Sequence, residues 1–235
     1  MRGGVGYPPG WTRHPGGVIA ATGAGVRRWV VAGPWTIGYL VVLLGVHAWM
    51  SWTDPAPFVA WASTNVVNLG THPIGALLAS ALIVNGPLLD PGTVITLWLG
   101  IGAALWWVES RYGVLRAAAV FLAGHVGATL LTVPVIFAAV RAGRYPEDIR
   151  TTVDVGISYG AQAALAAVVV ALPRWAWAPW SVFVLGWPLL DADWSGLLPD
   201  FTTIGHLIAA GLGFLLAGTL LGTRRRRSPG GHLPP

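Results

Sequence analysis

Two short stretches of the chain carry side chains able to act together on a substrate. The first, VDVGISYGAQAAL, places Asp154, Ser158, Tyr159 and Gln162 within about two to three helical turns, and the second, DFTTIGHLIAAGLG, groups Asp200, Thr202, Thr203 and His206. A serine hydroxyl is a poor nucleophile until a base removes its proton, and imidazole is the side chain whose pKa suits that task. Ser158 and His206 are therefore the candidate catalytic pair. The chain has no cysteine, which removes thiol catalysis, disulfides and thiolate metal sites. His14, His47, His72 and His232 show no metal-ligand spacing. No metal and no cofactor is expected.

The elements that must position this pair are membrane helices. Hydrophobic residues make up 54% of the 235 positions and charged residues only 10%, far from the composition of a soluble domain. The fold class expected is all-α: a polytopic membrane protein with a bundle of six transmembrane helices. The first span begins near Trp29 and ends among His47, Trp49 and Trp52. Residues 54–85, broken by Pro55, Pro57 and Pro73 and carrying Trp61, Asn65, Asn68 and His72, read as a long loop with interfacial helices. Further spans follow at about 92–108, 114–140, 153–172, 175–190 and 203–223, the fifth being short and holding Pro179 and Pro188. The polar ends separate as residues 1–28, a Gly- and Pro-rich disordered tail, residues 29–223, the membrane domain, and residues 224–235, a basic tail.

All 14 basic residues are arginine, and their distribution sets the expected orientation. With both termini cytoplasmic, only Arg141, Arg144 and Arg150 fall outside, while Asp54, Asp90, Glu147, Asp148, Asp191, Asp193 and Asp200 all do. The expected location is therefore the cell membrane, crossed several times. The +5 net charge is spread over the ends of apolar segments, which excludes a nucleic-acid patch, and the run Arg224 to Arg227 reads as an anchor drawn to anionic lipid.

In this topology the fourth and sixth spans both enter from the outer face, and Ser158 and His206 lie at similar depth, roughly 5–10 Å in. Gly156, Gly160 and Ala164 in one span, and Gly205, Ala209 and Gly213 in the other, supply the small residues that permit close helix approach. Asp154 reads as a cap of the fourth helix, with a share in orienting the site as the second reading. Asp200 and Thr203 could cap the sixth, and Glu109 could tie the second to Arg111 or Arg116. His125, mid-way along the third span, is either a packed residue bonded to a carbonyl or a substitute hydrogen-bond donor for the site.

Together these residues resemble the rhomboid intramembrane serine proteases, over about residues 72–218. That family has a six-helix core in which a GxSG serine in the fourth helix is activated by a histidine in the sixth. The matching elements here are Gly156 and Ser158 in GISYG, His206 in GHLIAAGLG, and Glu109 and Gly113 in LWLGIGAALWWVESRYG, with THPIGALLASALIV similar to the family's membrane-dipping first loop. The wording DVGxSYG and FTxxGHL resembles an actinobacterial rhomboid-like branch. Two departures stand out. Tyr159 follows the serine where the family has glycine, and the family's H-x-x-x-N oxyanion pair falls on Thr93 and Leu97, which keep at most one hydroxyl. The resemblance implies an intramembrane serine endopeptidase with a Ser158/His206 dyad, supported by Thr93 and Gly156, acting on transmembrane protein substrates in the lipid bilayer, with His125 and Asp154 as supporting candidates from the residues alone. The alternative is a pseudoprotease that binds transmembrane clients without cutting them. A small transporter is disfavoured because no inverted repeat is visible. Oligomeric state is not legible.

Overall fold

The structure, a computed structural model, describes residues 27, 29–195 and 197–222. The expected N-terminal tail and the basic C-terminal tail, with its four arginines, lie outside the described residues apart from Arg27.

The chain folds as a helical membrane bundle. Helix α1 (Pro34–Trp52) crosses to a long connection made of three short helices, α2 (Ala56–Ala62), α3 (Val66–Thr71) and α4 (Pro73–Ser80). Helix α5 (Pro91–Tyr112) turns at Gly113 into α6 (Val114–Arg141). A loop with a 3₁₀ turn at Glu147–Thr151 leads to α7 (Ser158–Ala171), then α8 (Arg174–Leu190) and α9 (Phe201–Leu221). Between α8 and α9 lies a minimal antiparallel hairpin, Trp194–Ser195 against Leu198–Pro199, that the sequence reading did not anticipate.

Four of these helices, α1, α5, α6 and α9, are long and apolar enough to cross a bilayer. The other two expected spans are shorter. By helical rise α7 covers about 21 Å and α8 about 26 Å, against a hydrocarbon core of about 30 Å. Helix α7 tolerates this because it does not face lipid: every residue from Tyr159 to Ala167 is buried. It packs chiefly against α9, α5 and α6.

Small residues make that central position possible. A Cβ added at Gly213 of α9 would lie 2.3 Å from the Ala163 carbonyl oxygen, and one at Gly124 of α6 would lie 2.5 Å from the Tyr159 carbonyl oxygen. At Gly100 of α5 it would meet the Ala161 side chain at 2.6 Å. Three neighbours thus reach the α7 backbone at distances that a side chain would forbid.

The fourth span starts at Ser158 and not at about 153 as the sequence suggested. Two features hold residues 152–157 in non-helical form. Gly156 has φ +124°, a conformation that L side chains rarely adopt. Asp154 is also bonded to the first connection: its N–H donates to Ser63 Oγ (3.0 Å), its carbonyl accepts from the Thr64 N–H (2.7 Å), and its Oδ2 accepts from Thr64 Oγ1 (3.1 Å). The expected Asp154 cap is therefore corrected; α7 begins with no side-chain cap.

Glu109 likewise differs from expectation. Its carboxyl oxygens accept the backbone N–H groups of Trp35 (2.9 Å) and Thr36 (2.7 Å), the first two available donors of α1 after Pro34. An otherwise uncapped helix start is thus satisfied by a buried acid from α5. On α9 the expected cap is present, with Asp200 Oδ1 accepting from the Thr203 N–H at 3.0 Å.

Candidate active site

The starts of α5, α7 and α9 and the end of α8 converge at one end of the bundle around a cavity of about 250 Å³. Ser158, His206, Thr93 and Gly156 all line it. His125 and Asp154 do not. His125 Nε2 faces the Leu77 carbonyl (2.9 Å) and Ser80 Oγ (3.2 Å), so this histidine fastens α4 to α6. Asp154 lies behind the site, fastening the α2–α3 connection to the segment that delivers Ser158.

Ser158 is the first residue of α7. Its position follows from the extended segment before it, where the Ile157 N–H donates to the Ile83 carbonyl (3.2 Å) and fixes the entry of the helix. The N–H groups of a first helical turn have no intrahelical acceptor and carry the positive end of the helix dipole. Ser158 therefore lines the cavity at the end of α7 that carries the free backbone donors.

His206 lies about one turn into α9 and is 8% exposed. Its ring is met edge-to-face by Tyr159 at 5.1 Å and at a tilt of 53° by Trp187 of α8 at 5.3 Å. The Tyr159 ring occupies the space over Gly205, where a Cβ would lie 2.3 Å from it. Trp187 is oriented by Gln162: its indole N–H donates to Gln162 Oε1 (2.9 Å), while Gln162 Nε2 donates to the Val184 carbonyl (2.5 Å). Gln162 thus acts through Trp187 on the imidazole. No hydrogen bond joins Ser158 to His206, and His206 Nε2 is buried without a hydrogen-bond partner.

Thr93 is 3% exposed and donates its hydroxyl proton to the Asn85 carbonyl at 3.1 Å. That proton is committed in this state. Leu97, at the other position of the oxyanion pair, is a core residue. Asn85, Thr96, Trp187 and Thr202 also line the cavity, and the sequence reading missed Asn85, Thr96 and Trp187. Asn85 and Thr96 follow no periodicity that distinguishes them, whereas polar Gln162 inside an apolar helix was the usable pointer to Trp187.

Burial pushes the Asp154 carboxyl up to about 6, with the Thr64 and Tyr159 hydrogen bonds opposing the shift. Folding therefore favours the protonated acid, and the stability tied to it is complete below the ordinary carboxylate range and lost as pH rises through about 6. Asp154→Asn, which keeps an acceptor for Thr64, is expected to gain on the wild type between about pH 4 and 7 in detergent-micelle unfolding. A stability difference independent of pH would refute the assignment.

The family model described as Rhomboid-like protein matches residues 28–226. Neither the curated proteins nor the solved structures gave a match. A helical membrane bundle with a short, buried central helix starting at a serine, matched by that model over most of its length, belongs to the rhomboid-like family.

Proposed function

We propose that the chain is an intramembrane serine endopeptidase in which Ser158 is the nucleophile and His206 the general base. One observation carries this reading: Ser158 and His206, from two separate helices, line the same small cavity. In the reaction Ser158 Oγ attacks the carbonyl carbon of a peptide bond in a transmembrane substrate while His206 takes the hydroxyl proton. His206 then returns that proton to the leaving amine, and water resolves the acyl-enzyme by the same route. The tetrahedral oxyanion is met by the Ser158 N–H at the positive end of α7. Thr93 joins only by releasing the Asn85 carbonyl, and Asn85, which also lines the cavity, carries a side-chain amide that would add a donor the family pattern lacks. Catalytic hydrogen bonds are often long or broken without substrate, so the pair closes on binding.

The test is cleavage of a single-span substrate co-reconstituted with the protein in liposomes. Wild type cuts it near the membrane surface and Ser158→Ala does not; equal product from both would refute the reading.

A pseudoprotease that binds transmembrane segments without cutting them is the second reading. It is favoured by the missing Ser158–His206 hydrogen bond and by Leu97 in place of an oxyanion donor. Binding of substrate peptides by wild type without any product would select it.

In the orientation we propose, both termini are cytoplasmic in the cell membrane and the cavity opens outward, with residues 29–223 as the membrane domain. Because the chain lacks cysteine, Ala142→Cys provides a clean reporter in the loop after α6. An impermeant maleimide is expected to label it from outside intact cells, and labelling only after lysis would invert the topology.

A further inference from the structure

The mouth of the Ser158 cavity has a charge that the proposed chemistry does not use. Asp90 and Asp191 both line it, and no arginine does. Asp90 precedes Pro91 at the start of α5 and spends one carboxylate oxygen on the Gly92 N–H (3.1 Å). Asp191 follows the last residue of α8, where the negative end of the helix dipole adds to its own charge. Among the described residues, Asp191 has no ion pair or side-chain hydrogen bond. His206, nine-tenths buried and with Nε2 unpartnered, lines the same cavity. The described outer-loop cation with a partner, Arg150, is paired to Glu147 and set over Phe137, away from the cavity lining.

A cavity with acids at its rim and no arginine in its lining presents negative potential to whatever enters. We infer that this site selects transmembrane segments that carry a lysine or arginine beside the attacked peptide bond, with Asp191 as the main recognition group and Asp90 as its partner. The inference rests on the proposed function to the extent that the cavity takes a polypeptide segment. The basic side chain reaches the rim while the peptide bond lies over Ser158, and an acidic side chain in the same place meets two like charges. Apolar selection by helix α8 alone would give no such ranking.

The experiment uses full-length Ser158→Ala protein in nanodiscs of zwitterionic lipid, so that lipid charge plays no part. Three dye-labelled single-span peptides differ only in one residue at the outer membrane boundary, Lys, Gln or Glu, and their Kd values are read by fluorescence anisotropy. The expected order is Lys tightest and Glu weakest, spanning about tenfold at low salt and shrinking at 0.5 M salt. Asp191→Asn narrows the span, and Asp90→Asn with Asp191→Asn brings it to within about twofold; Asn at position 90 keeps an acceptor for Gly92. No ranking in the parent protein, no measurable binding of any peptide, or an unchanged ranking in the double variant overturns the inference. Cleavage by the Ser158-intact protein is followed in parallel. Ranked binding without product sinks the protease reading alone, and product without ranking sinks the charge selection alone.

Discussion

Replacing Gly213 by valine is expected to lower the unfolding free energy by about 3 kcal/mol or more, enough to empty the native state of a marginal bundle. The reason is geometric: the first added carbon already lies 2.3 Å from the Ala163 carbonyl oxygen and 2.8 Å from the Ala166 side chain, and neither backbone nor Cβ can swing aside. Helix α9 would have to move away from α7. Gly211, two residues earlier on the same helix, is the control. A Cβ there meets nothing within 4 Å, and valine is expected to change stability by no more than about 0.5 kcal/mol. Reversible unfolding in mixed detergent micelles, followed by tryptophan fluorescence, reads both. Equal losses at the two positions would show that α7 and α9 do not pack as described.

The largest expected effect on activity is at His206. Removing a general base costs about 10²–10⁴-fold in rate, so His206→Ala is expected to cut product formation in liposomes by that factor while leaving peptide Kd within about threefold. The separation matters because Tyr159 and Trp187 pack on the imidazole, and a merely structural loss would weaken binding and stability as well. Trp187→Phe provides the comparison. It removes the bond to Gln162 but keeps a ring, and it is expected to slow cleavage far less than His206→Ala.

Much of the bundle was legible in the sequence because hydropathy and length are a direct record of the bilayer. The helices α1, α5, α6 and α9 follow the apolar runs to within a few residues, apart from α1, whose run began earlier, near Trp29. The start of α7 was misplaced because hydropathy cannot register that Gly156 adopts a positive φ or that Asp154 is bonded to Ser63 and Thr64, some 90 residues away. The same blindness to distant partners explains Glu109. A helical acid near two arginines reads as a local ion pair, whereas its oxygens take the backbone donors of α1. The hairpin at Trp194–Pro199 is too short to produce a periodic signal.

For the site, depth counting set Ser158 and His206 at one level, and both face one cavity. What spacing could not give was their rotation about the helix axes, which decides whether hydroxyl and ring meet. Nor could it reveal that Thr93 has its proton on the Asn85 carbonyl, or that His125 is spent on Leu77 and Ser80. Tyr159 was visible as a polar residue of the fourth span and as a departure from the family wording, and the structure gives it a place, packed edge-on against His206 over Gly205. Asp90 and Asp191 were counted for topology alone, although both also line the mouth of the cavity.

The reactivity of Ser158 is most directly measured with a fluorophosphonate probe on the full-length protein in detergent, the adduct located by peptide mass spectrometry. Wild type is expected to carry one adduct, on Ser158, and His206→Ala to label at least about a hundredfold more slowly. Labelling that is absent from wild type, or that proceeds equally in wild type, Ser158→Ala and His206→Ala, would contradict a Ser158 nucleophile activated by His206.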